Sequence, residues 1–244
     1  MGHRYAASDF HGMKDLCNQI LDYLGPDDEL YYLGDAADRG PDGIRVITTL
    51  LGDPRVHYFL GNHEKFLIDA YENNDPWLWV AYNGGRRTYE DFNNLSEETQ
   101  QYIVNKLKHL PIKAFITSSK SGKQIILSHS GFDIEEINSL HTDTFIWNRD
   151  HITNSWTNEP EFQNTIMIHG HTITWTLDEY DYRLNPEKKD NIIWYCNEHK
   201  LDIDLGSAFT GKACLVDLDT LEPIYFTIDN FDKKEYNNYI GKGE

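Results

Sequence analysis

The sequence is short of positive charge. Its 244 residues include 22 lysines and arginines against 40 aspartates and glutamates, which gives a formal net charge of −18. Proteins that bind nucleic acid use lysine and arginine to neutralise phosphates, and anionic lipid surfaces attract basic patches in the same way. The composition therefore argues against nucleic acid and membrane surfaces as partners.

Long hydrophobic runs and cysteines are also scarce. The longest apolar run is Trp77–Tyr82, with six residues, whereas a membrane-spanning helix needs about 20. The three cysteines, Cys17, Cys196 and Cys214, are too few and too scattered for a disulfide framework, and buried thiols are expected instead. These features predict a protein of the reducing cytoplasm.

What the sequence does have is enough apolar material for a core and a regular alternation of strand and helix patterns. Hydrophobic residues make up 39% of the chain, and its length suits one domain spanning residues 1–244. Apolar strands at Arg4–Ala7, Leu30–Leu33 and Val56–Leu60 alternate with segments of helical apolar spacing, which predicts an α/β fold with parallel pairing. Further strands are predicted at Ile112–Thr117, Gln124–Ser128, Thr165–Ile168, Ile192–Cys196, Lys200–Asp204, Ala213–Leu218 and Glu222–Ile228.

Polar clusters follow each of the first three strands, at Ser8–Gly12, Gly34–Gly40 and Gly61–Glu64. Their first acidic or amide residues recur at intervals of 26 and 27 residues, about one strand–helix repeat each. Open α/β sheets bind ligands at the carboxyl ends of their strands, so the equal spacing predicts that the clusters lie side by side there. One aspartate or asparagine in a loop is ordinary turn chemistry, but three clusters in phase favour a ligand site.

Carboxylates and imidazoles together suit manganese, iron or zinc better than calcium or magnesium. The three clusters contain too few ligands to fill two coordination spheres, so histidines further along the chain are needed. His129 directly follows one predicted strand and His171 follows another, which makes both of them candidates. His169 lies beside Gly170, which frees the loop, and is expected to point away from His171, so it is left out of the candidate ligands.

Five short motifs occur in the order SDFHG, GDAADRG, GNHE, SHSG and IHGHT. This order resembles the phosphoprotein phosphatase (PPP) family of metallophosphoesterases, and is most similar to the bacterial and phage-lambda-type serine/threonine protein phosphatases. The resemblance runs from about Arg4 to Leu218. It implies a single calcineurin-like domain in which two mixed β-sheets form a sandwich flanked by helices. The chain departs from the family pattern at Phe10 and in residues 177–200, which are richer in charge and tyrosine.

By this resemblance, the site would hold two divalent metal ions, with manganese expected and iron, zinc or nickel as alternatives. A hydroxide bridging the two metals would attack phosphorus directly, with no covalent phosphoenzyme. The implied ligands are Asp9 and His11 for the first metal, Asp35 for both, and Asn62, His129 and His171 for the second.

The resemblance also implies which groups handle the phosphate and the leaving group. His63 would be the general acid, and Asp38 would orient it. Arg39 and Arg149 would hold phosphate oxygens through paired hydrogen bonds. The expected reaction is removal of phosphate from phosphoserine and phosphothreonine, with phosphotyrosine also open, in a phosphorylated protein or peptide.

Two other functions stay open. A diadenosine tetraphosphate hydrolase, or a related nucleotide phosphoanhydride hydrolase, shares the same metal site. An inactive phosphoprotein-binding module would hold metals without turnover. The sequence speaks against this module because His63, Asp38 and both arginines are present.

The segment between the third and fourth motifs is less specific. Arg86 and Arg87 follow two glycines, which fits either a phosphate-binding lip or a capped helix with exposed charges. Trp77, Trp79 and Tyr82 are expected in the core rather than on a binding platform.

Overall fold

The computed structural model of the chain describes residues 2–154, 162–180 and 191–232. Its strands are β1 (Arg4–Ala7), β2 (Glu29–Tyr32), β3 (Val56–Tyr58), β4 (Lys113–Thr117), β5 (Gln124–Ser128), β6 (Thr165–His169), β7 (Ile193–Tyr195), β8 (Lys200–Asp202), β9 (Lys212–Asp217) and β10 (Pro223–Thr227). Its helices are α1 (Lys14–Tyr23), α2 (Gly43–Gly52), α3 (Asn62–Asn73), α4 (Trp77–Tyr82), α5 (Arg86–Asn93), α6 (Glu97–Leu107), α7 (Asp143–Ile146), α8 (Leu177–Tyr180) and α9 (Ser207–Thr210). Residues 181–190, within the unusual stretch 177–200, lie outside the described residues.

The strands form two five-stranded mixed sheets. The first has the order β10-β9-β1-β2-β3, in which β1, β2 and β3 are parallel and β9 and β10 are antiparallel. The second has the order β4-β5-β6-β8-β7, in which β5, β6 and β8 are parallel and both edge strands are antiparallel. The predicted α/β fold, with parallel pairing of its first three strands, is confirmed.

Alternate side chains of the strands divide the interior into two hydrophobic layers. Ala6 of β1 and Val216 of β9 share a cluster with Leu127 and Ile168 of the second sheet. Leu215, the neighbour of Val216, belongs instead to the layer beneath the helices. Because successive side chains of a strand point to opposite faces, the first sheet supports both layers. The result is the predicted sandwich of two mixed sheets flanked by helices.

The outer helices are amphipathic and cover the first sheet. Leu16 and Ile20 of α1 and Val46 and Ile47 of α2 are fully buried in the layer between helices and sheet, at the spacing that places them on one helix face. The longest of the described helices, α3, has 12 residues. Among the described residues, no helix has both the length and the apolar character needed to cross a membrane.

One helix boundary differs from the sequence prediction at a point that matters for the site. The pattern predicts a helix from Glu64, but α3 begins at Asn62. Asn62 and His63 therefore lie in its first turn. Glu64 occupies the third helical position, and its carboxylate accepts a hydrogen bond from the N–H of Gly61 at 3.0 Å, which is one of the two hydrogen bonds of a capping box.

Candidate metal centre

The predicted site residues gather where the carboxyl ends of the parallel strands of both sheets meet. Loops after β1, β2 and β3 supply the first group, and loops after β5 and β6 supply His129 and His171. Left-handed backbone is rare outside glycine and costs about 1–3 kcal/mol per residue, yet it is concentrated here. The predicted site residues that adopt it, with φ between 45° and 73°, are Asp9, His11, Asp35, Asp38, Arg39 and His171.

Main-chain hydrogen bonds join the first two loops to each other. The N–H of Asp9 donates to the carbonyl of Gly34 at 3.0 Å, and the N–H of His11 donates to the carbonyl of Asp35 at 3.0 Å. Because these main-chain N–H and carbonyl groups bond to each other, the side chains of both loops remain available for the site.

A buried carboxylate ties the second loop to the third. Glu64 is fully buried, and its oxygens accept hydrogen bonds from the N–H groups of Asp35 and Ala36, both at 2.8 Å. They also accept from the hydroxyl of Tyr58 at 2.9 Å and from the N–H of Gly61. The sequence interpretation gave Glu64 no role of its own. Its place three residues after the loop glycine, at a helix start, was the available signal.

Asp35 stands between two groups of side chains that can hold metal ions. One group is His11, Asp35 and His63, the other is Asp35, His129 and His171, and within each the ligand atoms lie within 4.8 Å of one another. Asp35 Oδ2 is 3.7 Å from His11 Nε2 and 3.4 Å from His129 Nε2. All of these side chains are buried. Asp35 is therefore in a position to serve both groups.

Asn62 and Asp9 add oxygen donors to this cluster. Asn62 Oδ1 lies 2.9 Å from both His129 Nε2 and His171 Nδ1. Asp9 Oδ1 is 3.8 Å from His11 Nε2. The structure thus brings all six predicted ligands together in one buried cluster.

Hydrogen bonds orient two histidine rings of this cluster. His11 Nδ1 lies 2.9 Å from the carbonyl of Ala37, and His129 Nδ1 lies 2.8 Å from that of Leu33. A neutral ring keeps its single proton at Nδ1 to donate to such a carbonyl, so each Nε2 presents a lone pair to the cluster. The His129 lone pair faces the oxygens of Asp35 and Asn62, which are acceptors too, whereas His11 Nε2 has both Asp35 Oδ2 and an Arg39 nitrogen nearby. A divalent cation would suit such a set of buried oxygen and nitrogen donors.

The pKa shifts of two residues in the cluster are also consistent with a site for metal ions. Burial lowers the pKa of His129, but Asp35 and then Asp9 outweigh burial and raise this pKa to about 9. Burial raises the pKa of Asp35, but His129 and His63 outweigh it and hold this pKa well below its usual range. Ligand sites commonly exchange such protons for metal ions on binding.

A model of the calcineurin-like phosphoesterase family matches residues 4–205, a span that contains every residue of the cluster. The chain belongs to this family. Calcineurin-like phosphoesterases are hydrolases that use divalent metal ions, and the donor set of this chain suits such ions.

The similar proteins are named either as protein phosphatases or as nucleotide hydrolases. The chain is 26% identical over 218 residues to serine/threonine-protein phosphatase 2 of Escherichia coli (strain K12), covering 86% of this chain and 90% of that protein. It is 24% identical over 220 residues to an asymmetrical bis(5'-nucleosyl)-tetraphosphatase of Oceanobacillus iheyensis, covering 84% of each. A protein serine/threonine phosphatase from Saccharomyces cerevisiae has the same fold, with a TM-score of 0.61 at 12% identity, covering 95% of this chain and 81% of that one. The resemblance to the PPP group is confirmed.

Beside the cluster, this calcineurin-like phosphoesterase has a buried histidine–aspartate pair. His63 Nδ1 and Asp38 Oδ2 are 2.6 Å apart, and His63 Nε2 lies 3.8 Å from Asp35 Oδ2. The indole N–H of Trp79 donates to the same Asp38 oxygen at 2.5 Å, and the N–H of Asp38 donates to Thr88 Oγ1 at 3.0 Å. The sequence interpretation placed Trp79 in the core and missed its contact with Asp38.

The two predicted phosphate-binding arginines approach the cluster from different sheets. Arg39 Nη1 lies 2.5 Å from His11 Nε2, and the backbone N–H of Arg39 donates to the carbonyl of Gly84 at 3.1 Å. Arg149 Nη2 donates to the carbonyl of His171 at 3.4 Å. Both side chains are half-buried, so their guanidinium groups sit between the cluster and solvent.

The segment from α4 to α5 corrects one prediction. Trp79 is buried as expected, but Trp77 and Tyr82 are 62% and 54% exposed, so they do not belong to the core. Helix α4 has only six residues, and one face of a surface helix contacts the body of the protein. Arg86 and Arg87 are exposed in the first turn of α5, where Arg87 forms an ion pair within its own helix. This arrangement agrees with the capped-helix interpretation.

Proposed function

We propose that this chain is a metal-dependent phosphomonoesterase that removes phosphate from phosphoserine and phosphothreonine residues of proteins or peptides. Phosphotyrosine peptides are included in the test below. The observation that carries the proposal is the buried His63–Asp38 pair beside a cluster that suits metal ions. A module that only binds phosphoproteins needs ligands and arginines, but it has no use for a positioned acid.

Six residues are proposed to hold two divalent metal ions. When bound, such ions supply positive charge for phosphate oxygens and lower the pKa of a bound water. We propose manganese, with iron, zinc or nickel as alternatives, because mixed oxygen and imidazole ligands suit these ions. The proposed ligands are Asp9, His11, Asp35, Asn62, His129 and His171, with Asp35 shared.

Arg39 and Arg149 are proposed to bind and orient the phosphate group. A guanidinium group can donate two parallel hydrogen bonds to phosphate oxygens. Held from two sides, the phosphate has few orientations left, and correct orientation is itself a large part of catalysis. The two arginines also give the site local positive charge within a chain whose net charge is −18.

His63 is proposed as the general acid. Asp38 holds its Nδ1, so Nε2 faces the cluster and is the atom that carries the transferable proton. The Asp38 carboxylate balances the charge of the protonated ring, and Trp79 fixes that carboxylate by donating to the same oxygen. Transfer of the proton to the departing serine or threonine oxygen avoids release of a strongly basic alkoxide, and a positioned acid contributes about 10²–10⁴ in rate.

A phosphorylated protein matches the charge of this chain better than a dinucleoside polyphosphate. The net charge of −18 repels a substrate with a tetraphosphate chain, whereas Arg39 and Arg149 match the oxygens of one phosphate group. The nucleotide hydrolase stays as the alternative because a similar protein is named a bis(5'-nucleosyl)-tetraphosphatase.

We also propose the reducing cytoplasm as the location, since Cys17, Cys196 and Cys214 form no disulfide with one another.

A substrate panel tests these proposals. Chelator-treated protein is supplied with manganese, iron, zinc or nickel and assayed on phosphoserine, phosphothreonine and phosphotyrosine peptides and on diadenosine tetraphosphate. We expect metal-dependent release of phosphate from the peptides, faster than hydrolysis of the dinucleotide. Hydrolysis of the dinucleotide alone would establish the alternative activity, and peptide binding without turnover would establish a binding module. Metal analysis of the purified protein identifies the native ion.

A further inference from the structure

A lysine is completely buried behind the turn that carries Arg149. Lys200 of β8 has no solvent exposure, and its ammonium group lies 5.8 Å from the centre of the Tyr195 ring. It donates hydrogen bonds to the carbonyls of His151 and Asn154, the second at 2.8 Å. A buried ammonium group is costly unless its protons are satisfied, so its hydrogen bonds to these two carbonyls constrain this part of the chain.

The two carbonyls belong to the end of a short helical turn. Arg149 directly precedes the turn Asp150–Ile152, and its carbonyl accepts a hydrogen bond from the N–H of Ile152 at 3.1 Å. The last carbonyls of a helical turn have no partner within it. The carbonyl of His151 also accepts from the N–H of Asn154 at 3.1 Å, and Lys200 ties both carbonyls to β8 at the end of the turn opposite Arg149.

The same turn is anchored at its beginning and beneath. The N–H of His151 donates to Asn148 Oδ1 at 3.1 Å. The His151 ring packs edge-on against His169, with 4.9 Å between ring centres, and Tyr195 places its hydroxyl 2.7 Å from His169 Nε2 and 3.4 Å from His151 Nδ1. A Cβ added to Gly131 would lie 2.7 Å from the His151 ring, so the ring has no room to shift on that side.

Arg149 has little else to set its position. Among the described residues, the hydrogen bond found for its guanidinium is the 3.4 Å contact with the carbonyl of His171, which is long for a hydrogen bond. The place of the guanidinium therefore depends on the backbone of the turn, and the backbone depends on Lys200.

We propose that Lys200 is a positioning residue for phosphate binding, which holds the turn of Arg149 in the place where its guanidinium meets the phosphate. This inference rests on the proposed function of Arg149. Lys200 acts from the opposite side of the turn, through the carbonyls of His151 and Asn154.

The test is a double-mutant cycle in which Lys200→Met keeps the apolar stem and removes the donors. Binding of inorganic phosphate to the manganese-loaded protein is measured by calorimetry, alongside kcat and KM for p-nitrophenyl phosphate. We expect Lys200→Met to weaken phosphate binding and to raise KM about tenfold, with a smaller change in kcat. In an Arg149→Ala background the same substitution should change phosphate binding less than about twofold, because residues acting as a unit are not additive.

Lys113→Met is a matched control. Lys113 donates to the carbonyls of Ile137 and Ser139 at 2.6 and 3.0 Å and lies 4.2 Å from the centre of the Phe145 ring. It makes the same kinds of contact as Lys200, although it is half-buried, and it holds a loop with no proposed site residue. Its phosphate binding should stay within about twofold of the wild type.

Asn148→Ala gives a second route if Lys200→Met does not fold. It loosens the same turn at its other end, where Asn148 Oδ1 accepts from His151, and Asn148 is only half-buried. Weakened phosphate binding that disappears in the Arg149→Ala background would support the proposal. Unchanged phosphate binding in either variant, or an equal loss with and without Arg149, would overturn it. Phosphate binding without turnover in the wild type would instead defeat the proposed function and leave this inference standing.

Discussion

The two sheets hold their parts of the site in different ways. In the first sheet, the loops after β1, β2 and β3 are bonded to one another through the main chain and through Glu64. In the second sheet, one main-chain hydrogen bond joins the loops after β5 and β6, from the N–H of Gly170 to the carbonyl of His129 at 2.8 Å, and individual side-chain contacts hold the site residues beyond it. His129 is fixed by its Nδ1 contact with the carbonyl of Leu33, and the turn of Arg149 is closed by Lys200.

This difference predicts how each half of the site responds to amino-acid substitution. Loops bonded through the main chain have few alternative positions, so removal of a ligand there leaves buried acceptors or charges without a partner. A segment held by side-chain contacts can relax by small amounts when one contact is lost. We therefore expect substitutions in the first half to abolish function and substitutions in the second half to reduce it by degrees.

Asp35→Asn should have the largest effect. Asp35 is the shared member of both groups that can hold metal ions, so its loss disturbs both at once. We expect a fall in kcat/KM on the order of 10⁴-fold for p-nitrophenyl phosphate, together with loss of bound metal. Asp42→Asn, at an exposed ion pair with Arg45, is the control and should retain both metal and activity. An Asp35→Asn protein with full metal content and full activity would disprove the shared role.

His63→Asn should have the next largest effect, and it should depend on the leaving group. A phosphoserine peptide needs a proton on its departing oxygen, so we expect about a 10³-fold fall in kcat/KM. Nitrophenolate departs without protonation, so the loss on p-nitrophenyl phosphate should be smaller. Metal content should stay unchanged, which separates an acid from a ligand, because His63 also lies within one of the two groups. Equal losses on both substrates with loss of metal would make His63 a ligand instead.

The half of the site built by main-chain contacts is the half that the sequence could predict. Each cluster there follows a short apolar strand, and strand order places successive strand ends side by side. Asp9, Asp35 and Asn62 could be located in this way from spacing alone. His129 and His171 follow strands too, which is why they could be found although they come from the other sheet.

The supporting contacts could not be predicted, because they join residues far apart in the chain. Trp79 reaches Asp38 across 41 residues, and Lys200 reaches Asn154 across 46. Neither contact leaves a periodic pattern or a fixed spacing in the sequence. For a related reason Trp77 was wrongly placed in the core: an unbroken apolar run does not show which face of its helix is buried.

Substitution of Arg39 and of Arg149 allows the two halves of the site to be compared directly. Arg39 Nη1 contacts His11 Nε2 in the first half of the site, whereas Arg149 is held through its turn. We expect both alanine variants to lower kcat/KM, by about 10²-fold for Arg39→Ala and by less for Arg149→Ala. Steady-state kinetics on a phosphoserine peptide measure the difference. A larger loss from Arg149→Ala would reverse the comparison between the two sheets.

Trp79→Phe should have the smallest effect, and it tests a side-chain contact inside the first half. Phenylalanine keeps an aromatic ring in the core, although a smaller one, and lacks the N–H that donates to Asp38 Oδ2. Since Trp79 acts through Asp38 and His63, we expect about a fivefold fall in kcat on a phosphoserine peptide, and no further fall in a His63→Asn background. Trp77→Phe, two positions earlier on the same helix and 62% exposed, is the matched control and should leave kcat unchanged. A fall in kcat that persists without His63 would mean that Trp79 supports the loops in general, and the first half would then depend on side chains as much as the second does.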